Sequence, residues 1–179
     1  MILDQLKKLR LADFFTLCGL ASSVSAIFLL TQGNSKEHIF TAFLLIVLQI
    51  SCDVIDGRVA RALPQHQSQL GFFLDSFADL ITILATFMLG VASGITHPLR
   101  FLVGILFILA AAIRLAYFSS EKGAVAGYFS GVPTTATSLI LSTLVLLNFQ
   151  FSLFPKNFLL WGYVIFGMLM ISAVRIRKW

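Results

Sequence analysis

Two stretches decide how this chain folds: Ile39–Ala62, IFTAFLLIVLQISCDVIDGRVARA, and Gly71–Ser93, GFFLDSFADLITILATFMLGVAS. Each is long and apolar enough to cross a bilayer as a helix, which takes ~20 residues. Each carries two aspartates near one end, Asp53 and Asp56 in the first, Asp75 and Asp79 in the second. Between them lies only Leu63–Gln69, a polar connector with Pro64 and three Gln. The reading is an antiparallel pair of membrane helices whose acidic ends adjoin the same loop.

Working outward, four more apolar runs have the same character: Phe14–Thr31, Leu99–Ser119, Val132–Phe149 and Phe158–Val174. The expected fold is therefore an all-α integral membrane protein with six transmembrane helices, treated as a single domain over residues 1–179 with its bundle at 14–174. Ahead of the bundle, Ile2, Leu3, Leu6 and Leu9 recur at helical spacing among Lys7, Lys8 and Arg10. That pattern predicts an amphipathic interfacial helix over Met1–Leu11, lying on the membrane surface; a helix packed on protein would have the same pattern.

Composition excludes several classes. The chain is 58% hydrophobic with only 12% charged residues, too little to cover a soluble domain of 179 residues. The formal charge of +5 comes from basic clusters at both ends, which fits topology better than nucleic-acid binding. Cys18 and Cys52 fall inside apolar runs and make neither a disulfide framework nor a zinc site. No cleavable signal peptide is apparent. Six crossings put both termini on one side; with that side cytoplasmic, Lys36, Arg100 and Lys156 lie outside and the other ten of the 13 basic residues lie inside or close to it.

Four of the eight acidic residues sit within the second and third crossings. Each such carboxylate costs roughly 2.5–3.5 kcal/mol on insertion scales, so the cluster needs a compensating partner. Asp53 and Asp56 are three apart and Asp75 and Asp79 four apart, so each pair shares one helix face. Counting from the connecting loop at ~1.5 Å per residue puts both pairs ~10–15 Å deep. Four facing carboxylates, with no His or Cys beside them, suit a hard divalent cation, Mg²⁺ or Mn²⁺, rather than zinc.

The same residues carry a family resemblance. Asp53-Val-Ile-Asp56-Gly57-Arg58-Val-Ala60-Arg61, nine residues, then Gly71-Phe-Phe-Leu-Asp75-Ser-Phe-Ala-Asp79 resembles the CDP-alcohol phosphatidyltransferase signature, D-x-x-D-G-x-x-A-R followed by G-x-x-x-D-x-x-x-D, at all eight fixed positions. The resemblance implies an enzyme that moves a phosphatidyl group from CDP-diacylglycerol to a small polar alcohol and releases CMP. It implies two divalent cations held by Asp53, Asp56, Asp75 and Asp79, with Asp79 also the general base for the acceptor hydroxyl. It further implies a homodimer in a bacterial or archaeal cell membrane, with the active site facing the cytoplasm. Gly57, Ala60 and Gly71 would leave space for the nucleotide, and Arg61 would pair with a phosphate oxygen. Gly57 and Gly71 also suit a helix–helix contact, and Arg58 and Arg61 suit a positive-inside anchor.

Outside the signature, Ile113-Arg114-Leu115-Ala116-Tyr117-Phe118, followed by Tyr128-Phe129-Ser130-Gly131-Val132-Pro133, resembles the R-L-A-x-F … F-x-G-x-P pattern of bacterial and archaeal phosphatidylserine synthases. Tyr117 and the run Thr134–Thr137 depart from that pattern. Serine is the acceptor this favours, with glycerol 3-phosphate or inositol phosphate as alternatives that would want more converging cations. Arg114 either binds an anionic group of the acceptor or snorkels to the interface. Asp13, Thr16 and Gly19 stand at the cytoplasmic end of the first crossing, where they are placed to touch the nucleotide or, for Asp13, to cap the helix. A Mg²⁺ transporter or channel could use the same carboxylates. The outer halves of the two acidic crossings, Ile39–Gln49 and Leu80–Val91, are almost wholly apolar, which favours a site open to one side.

Overall fold

The computed structural model describes residues 11–62, 69–119, 128–172 and 175–177, the side chains of a few residues at element ends excepted. Six α-helices run through them: α1 (Leu11–Gln32), α2 (Lys36–Ala62), α3 (Gln69–Ala92), α4 (Arg100–Ser119), α5 (Thr134–Phe151) and α6 (Leu159–Ile171). Five of these, α1 to α5, are long and apolar enough to cross a membrane. The chain is an integral membrane protein in its architecture. The interfacial helix expected over Met1–Leu11 lies outside the described residues, apart from Leu11 itself.

Helix boundaries follow local chemistry. α5 begins at Thr134 rather than Val132, because Pro133 stands at its N-cap with φ −57° and ψ 142° and forces the residue before it into an extended shape. α6 departs most from the expected Phe158–Val174 crossing. A 3₁₀ turn, Lys156–Phe158, precedes it, and the α-helix itself spans 13 residues, about 20 Å. It stops because Ser172 turns extended, with ψ 153°. The chain then reaches strand β2 (Arg175–Arg177), which pairs antiparallel with β1 (Tyr128–Ser130) ahead of α5. No strand was expected. The pairing is a tertiary event between segments more than forty residues apart, and no local pattern announces it. Asp13 lies inside α1, which already runs from Leu11, so it is not that helix's N-cap.

The packing has two halves that share α3. α1 lies along both α2 and α3, whereas α2 and α3 touch each other much less. Their contact is spread by α1 on one side and by α5, which packs against both, on the other. The expectation of α2 and α3 as adjacent antiparallel partners holds only in this splayed form. The second half joins α4 to α6 around Tyr163, which is fully buried. Its ring meets Phe87 and Phe107 edge to face at 5.1 and 5.2 Å, the favourable geometry for aromatic quadrupoles. Its hydroxyl donates to the Thr86 carbonyl at 2.9 Å, so no polar group is stranded in the apolar centre. Gly90 and Gly104 make this possible, since a Cβ on either would run into the Tyr163 and Phe87 rings respectively.

The outside of the bundle is apolar. α4 turns Phe101, Ile105, Leu109 and Ile113 outward at four-residue spacing, while Phe107, Ala110, Ala111 and Arg114 are buried. At the end remote from the aspartates, Asn157 ties two loops together: its Oδ1 accepts from the backbone N–H groups of Thr96 and His97 at 3.1 and 3.2 Å.

Candidate active site

The site forms where α2 leaves the bundle and α3 re-enters it. Asp53, Asp56 and Asp75 each offer a carboxylate oxygen, and the three lie within 4.8 Å of one another. Asp56 is buried and the other two are half-buried. Such close like charges repel strongly in a low dielectric, so the arrangement suits a shared cation. The donor set is all carboxylate; Cys52, next in sequence to Asp53, packs near Gly19 of α1 instead. Hard oxygen ligands of this kind fit Mg²⁺ or Mn²⁺ and give no reason to invoke a softer metal.

Asp79 lies outside that set of three. It lies one turn further along α3 and is buried, and its Oδ2 accepts a hydrogen bond from the Thr134 hydroxyl at the start of α5. Asp79 also acts electrostatically on Asp53 and Asp75, so the four expected aspartates gather at one end of the bundle. The splay of α2 and α3 lets α5 approach and supply a hydroxyl to the deeper aspartate. Asp56 has a similar partner on the other flank, the Thr16 hydroxyl of α1, which donates to its Oδ2. A serine or threonine in an apolar helix usually bonds its own backbone, as Thr82 and Thr86 do here. The sequence places Thr16 at the cytoplasmic end of its crossing but does not pair it with Asp56, and no local signal pairs Thr134 with Asp79.

The remaining candidates surround this centre. Gly57, one residue past Asp56, faces open space: a Cβ there would meet nothing within 4 Å. Among the described residues, no helix packs on it. Gly71 is half-buried in the first turns of α3. Ala60 and Arg61 occupy the last turn of α2, and their side chains are outside the described set. Arg114 of α4 is buried at 8% exposure and interacts electrostatically with Asp79. A snorkelling arginine would expose its guanidinium, so this side chain turns inward.

Several polar residues lie deeper in the bundle. Ser23 and Thr82 bond each other at 3.0 Å. Thr82, Thr86 and Ser93 each bond the carbonyl four residues back in α3 or just beyond it. These four hydroxyls are consumed locally, and Ile46, Ile83 and Leu89 are fully buried, whereas Gln49 Oε1, Thr137 Oγ1 and Ser138 Oγ are buried without a hydrogen-bond partner among the described residues.

Comparison with known proteins agrees with the direction of this geometry. Residues 9–171 match the family model described as CDP-alcohol phosphatidyltransferase. The CDP-diacylglycerol–serine O-phosphatidyltransferase of Saccharomyces cerevisiae is 30% identical over 147 residues, 75% of this chain and 52% of the yeast protein. The protein of the same name from Methanocaldococcus jannaschii is 28% identical over 175 residues, 97% of this chain and 76% of that one. The match thus spans about half the length of the yeast relative and most of the archaeal one. With the family match running from the start of α1 to the end of α6, this chain belongs to the CDP-alcohol phosphatidyltransferase family.

Proposed function

We propose that the protein makes phosphatidylserine, transferring the phosphatidyl group of CDP-diacylglycerol to the hydroxyl of L-serine and releasing CMP. The observation that carries the reaction class is the three-carboxylate cluster at one end of a membrane bundle, in a chain of this family. The two similar proteins that carry serine in their names support the acceptor.

Asp53, Asp56, Asp75 and Asp79 would together hold two divalent cations. Bound there, Mg²⁺ or Mn²⁺ would neutralise the pyrophosphate and polarise the phosphorus to be attacked. The open space beside Gly57 suits the nucleotide, with Ala60, Gly71 and Arg61 completing its cradle. Asp79 accepts the proton of the serine hydroxyl. The hydroxyl oxygen bonds to the phosphorus that bears diacylglycerol, and the bond from that phosphorus to the CMP oxygen breaks. A buried base beside the cluster needs only a short proton transfer. Arg114 holds the serine carboxylate by two parallel hydrogen bonds.

The reading places the whole chain in one domain, with α6 as a sixth crossing, both termini and the site cytoplasmic, and two copies associated as a dimer. The 3₁₀ turn extends α6 to the 16 residues Lys156–Ile171, and its burial against α4 supports a place within the bundle. Purified protein in detergent, given labelled CDP-diacylglycerol and a panel of serine, glycerol 3-phosphate and inositol phosphate, tests this. Labelled phosphatidylserine that disappears on chelation is expected. Product with another acceptor alone would reject serine, and no CMP release with any acceptor would reject the reaction.

A further inference from the structure

Arg114 and Thr134 both meet Asp79, but they come from different halves of the bundle. Arg114 belongs to α4, which packs on α6, and it interacts electrostatically with the Asp79 carboxylate. Thr134 opens α5, which packs on α2 and α3, and its hydroxyl donates to Asp79. α4 and α5 make at most slight contact with each other, and α5 touches α6 far less than α4 does. Helix packing alone therefore does little to keep these two residues in register across Asp79. Apolar faces in a membrane do not select neighbours, so a more specific tie is needed.

Backbone hydrogen bonds supply that tie. Ahead of α5, Tyr128, Phe129 and Ser130 pair in antiparallel register with Arg177, Ile176 and Arg175 of the C-terminal strand. The Val132 N–H donates to the Leu169 carbonyl at 3.3 Å. That carbonyl lies in the last turn of α6, among the four that a helix leaves without an intrahelical partner, and it also accepts from the Ser172 hydroxyl at 2.7 Å. Between the ladder and Val132, Gly131 passes the end of α6 so closely that a Cβ would strike the Met170 carbonyl, and its φ of +75° suits glycine alone. Pro133 then fixes the turn into α5. Gly131 and Pro133 are the glycine and proline of the second motif in the sequence, and this close passage is the physical reason for the glycine.

We propose that this backbone stitch positions the acceptor site, with Gly131 as its positioning residue, by holding Arg114 and Thr134 in register across Asp79. The C-terminal strand Arg175–Arg177, far in sequence from the signature, thereby braces the place where the acceptor binds. The inference rests on the reading of Arg114 as the group that holds the serine carboxylate. The stitch joins α5 to α6, whereas Asp53, Asp56 and Asp75 lie on α2 and α3. Opening it therefore disturbs the acceptor and leaves the cations and the CDP-lipid in place.

The test uses full-length Gly131→Ala, which forces the stitch open without removing a side chain, and the pair Phe129→Cys/Ile176→Cys on direct cross-strand partners. Such partners lie ~4.5–5.5 Å apart at Cα, within reach of a disulfide. Gly131→Ala raises the serine KM by ~10-fold or more, the worth of a lost hydrogen bond to a charged group. Its Mn²⁺ affinity and its KM for CDP-diacylglycerol stay at wild type. Oxidising the cysteine pair in the Gly131→Ala chain recovers most of the serine KM, and reductant removes the recovery. A wild-type serine KM in Gly131→Ala would overturn the proposal, as would a loss of Mn²⁺ affinity as large as the loss for serine. The oxidised pair in the otherwise native chain decides the matter even where Gly131→Ala does not fold: turnover is unchanged if the paired strands are the working state. Turnover lost on oxidation and regained with reductant would mean that the strands must part, and would overturn the proposal. Those outcomes leave the transferase reading intact; a wild-type protein that does not use serine overturns that reading instead, and this inference with it.

Discussion

Replacing Asp75 by Asn should make the cation-free protein more stable and the working protein useless. Asp75 shares its site with Asp53 and Asp56, all within 4.8 Å. Two unit charges at that separation would repel by ~3.5 kcal/mol at an effective dielectric of ~20, and the hydrogen bond between Asp53 and Asp75 offsets part of that. Asp75 takes part in two such pairs. Asp53 and Asp75 are only half-buried, and solvent at the rim screens most of the repulsion, leaving a relief of ~1–2 kcal/mol. At ~2–4 °C per kcal/mol for a chain of this size, the melting temperature in chelator should rise by ~2–8 °C. With cation present the order reverses. A ligand at a hundred times its dissociation constant stabilises wild type by ~2.7 kcal/mol, and Asp75→Asn, short of one ligand and one charge, should gain almost none of it. Size-exclusion recovery after heating, with and without Mg²⁺, measures both arms, and CMP release measures the loss of transfer. If Asp75→Asn were less stable than wild type in chelator, or kept its Mg²⁺ shift and activity, the shared-cation account of the three carboxylates would be wrong.

Three further outcomes follow from the site. Asp79→Asn should lower kcat by ~10²–10⁴-fold, the usual worth of a general base, with little change in CDP-diacylglycerol KM; an effect confined to KM would remove the base role. Arg114→Lys should raise the acceptor KM by about tenfold or more and leave that of CDP-diacylglycerol alone, because an ammonium cannot reproduce the two parallel bonds of a guanidinium; equal constants for the two proteins with serine varied would make Arg114 structural. Gly57→Leu should preserve or slightly raise thermal stability, since no described residue lies within 4 Å of an added Cβ and leucine is the better helix former by up to ~1 kcal/mol; it should raise the CDP-diacylglycerol KM, and an unchanged KM would move the nucleotide elsewhere.

The membrane class and the carboxylate cluster were legible in the sequence because both rest on local terms. A bilayer demands an apolar run of fixed length, and α1 to α5 each supply one. Aspartates three and four residues apart share a helix face whatever the tertiary packing does, so Asp53, Asp56 and Asp75 could be brought together on paper from spacing and loop length. The family resemblance read from Asp53–Asp79 rested on the same register, and the family match over residues 9–171 agrees with it.

What the tertiary structure decided is everything that depends on which helix stands beside which. In a membrane the apolar faces of all helices are alike to lipid and to one another, so hydrophobic pattern does not select neighbours; close packing and interhelical hydrogen bonds do. Gly90 and Gly104 look like any glycines until Tyr163 and Phe87 fill the space they leave. Thr16 and Thr134 look like any hydroxyls in helices until α1 and α5 carry them to Asp56 and Asp79. The inward turn of Arg114 and the short α6 with its strand pairing are decided at the same level. Spacing along one chain specifies which residues share a face. Only packing between chain segments specifies what that face meets, and here it gives Asp56 a hydroxyl from α1 and Asp79 one from α5.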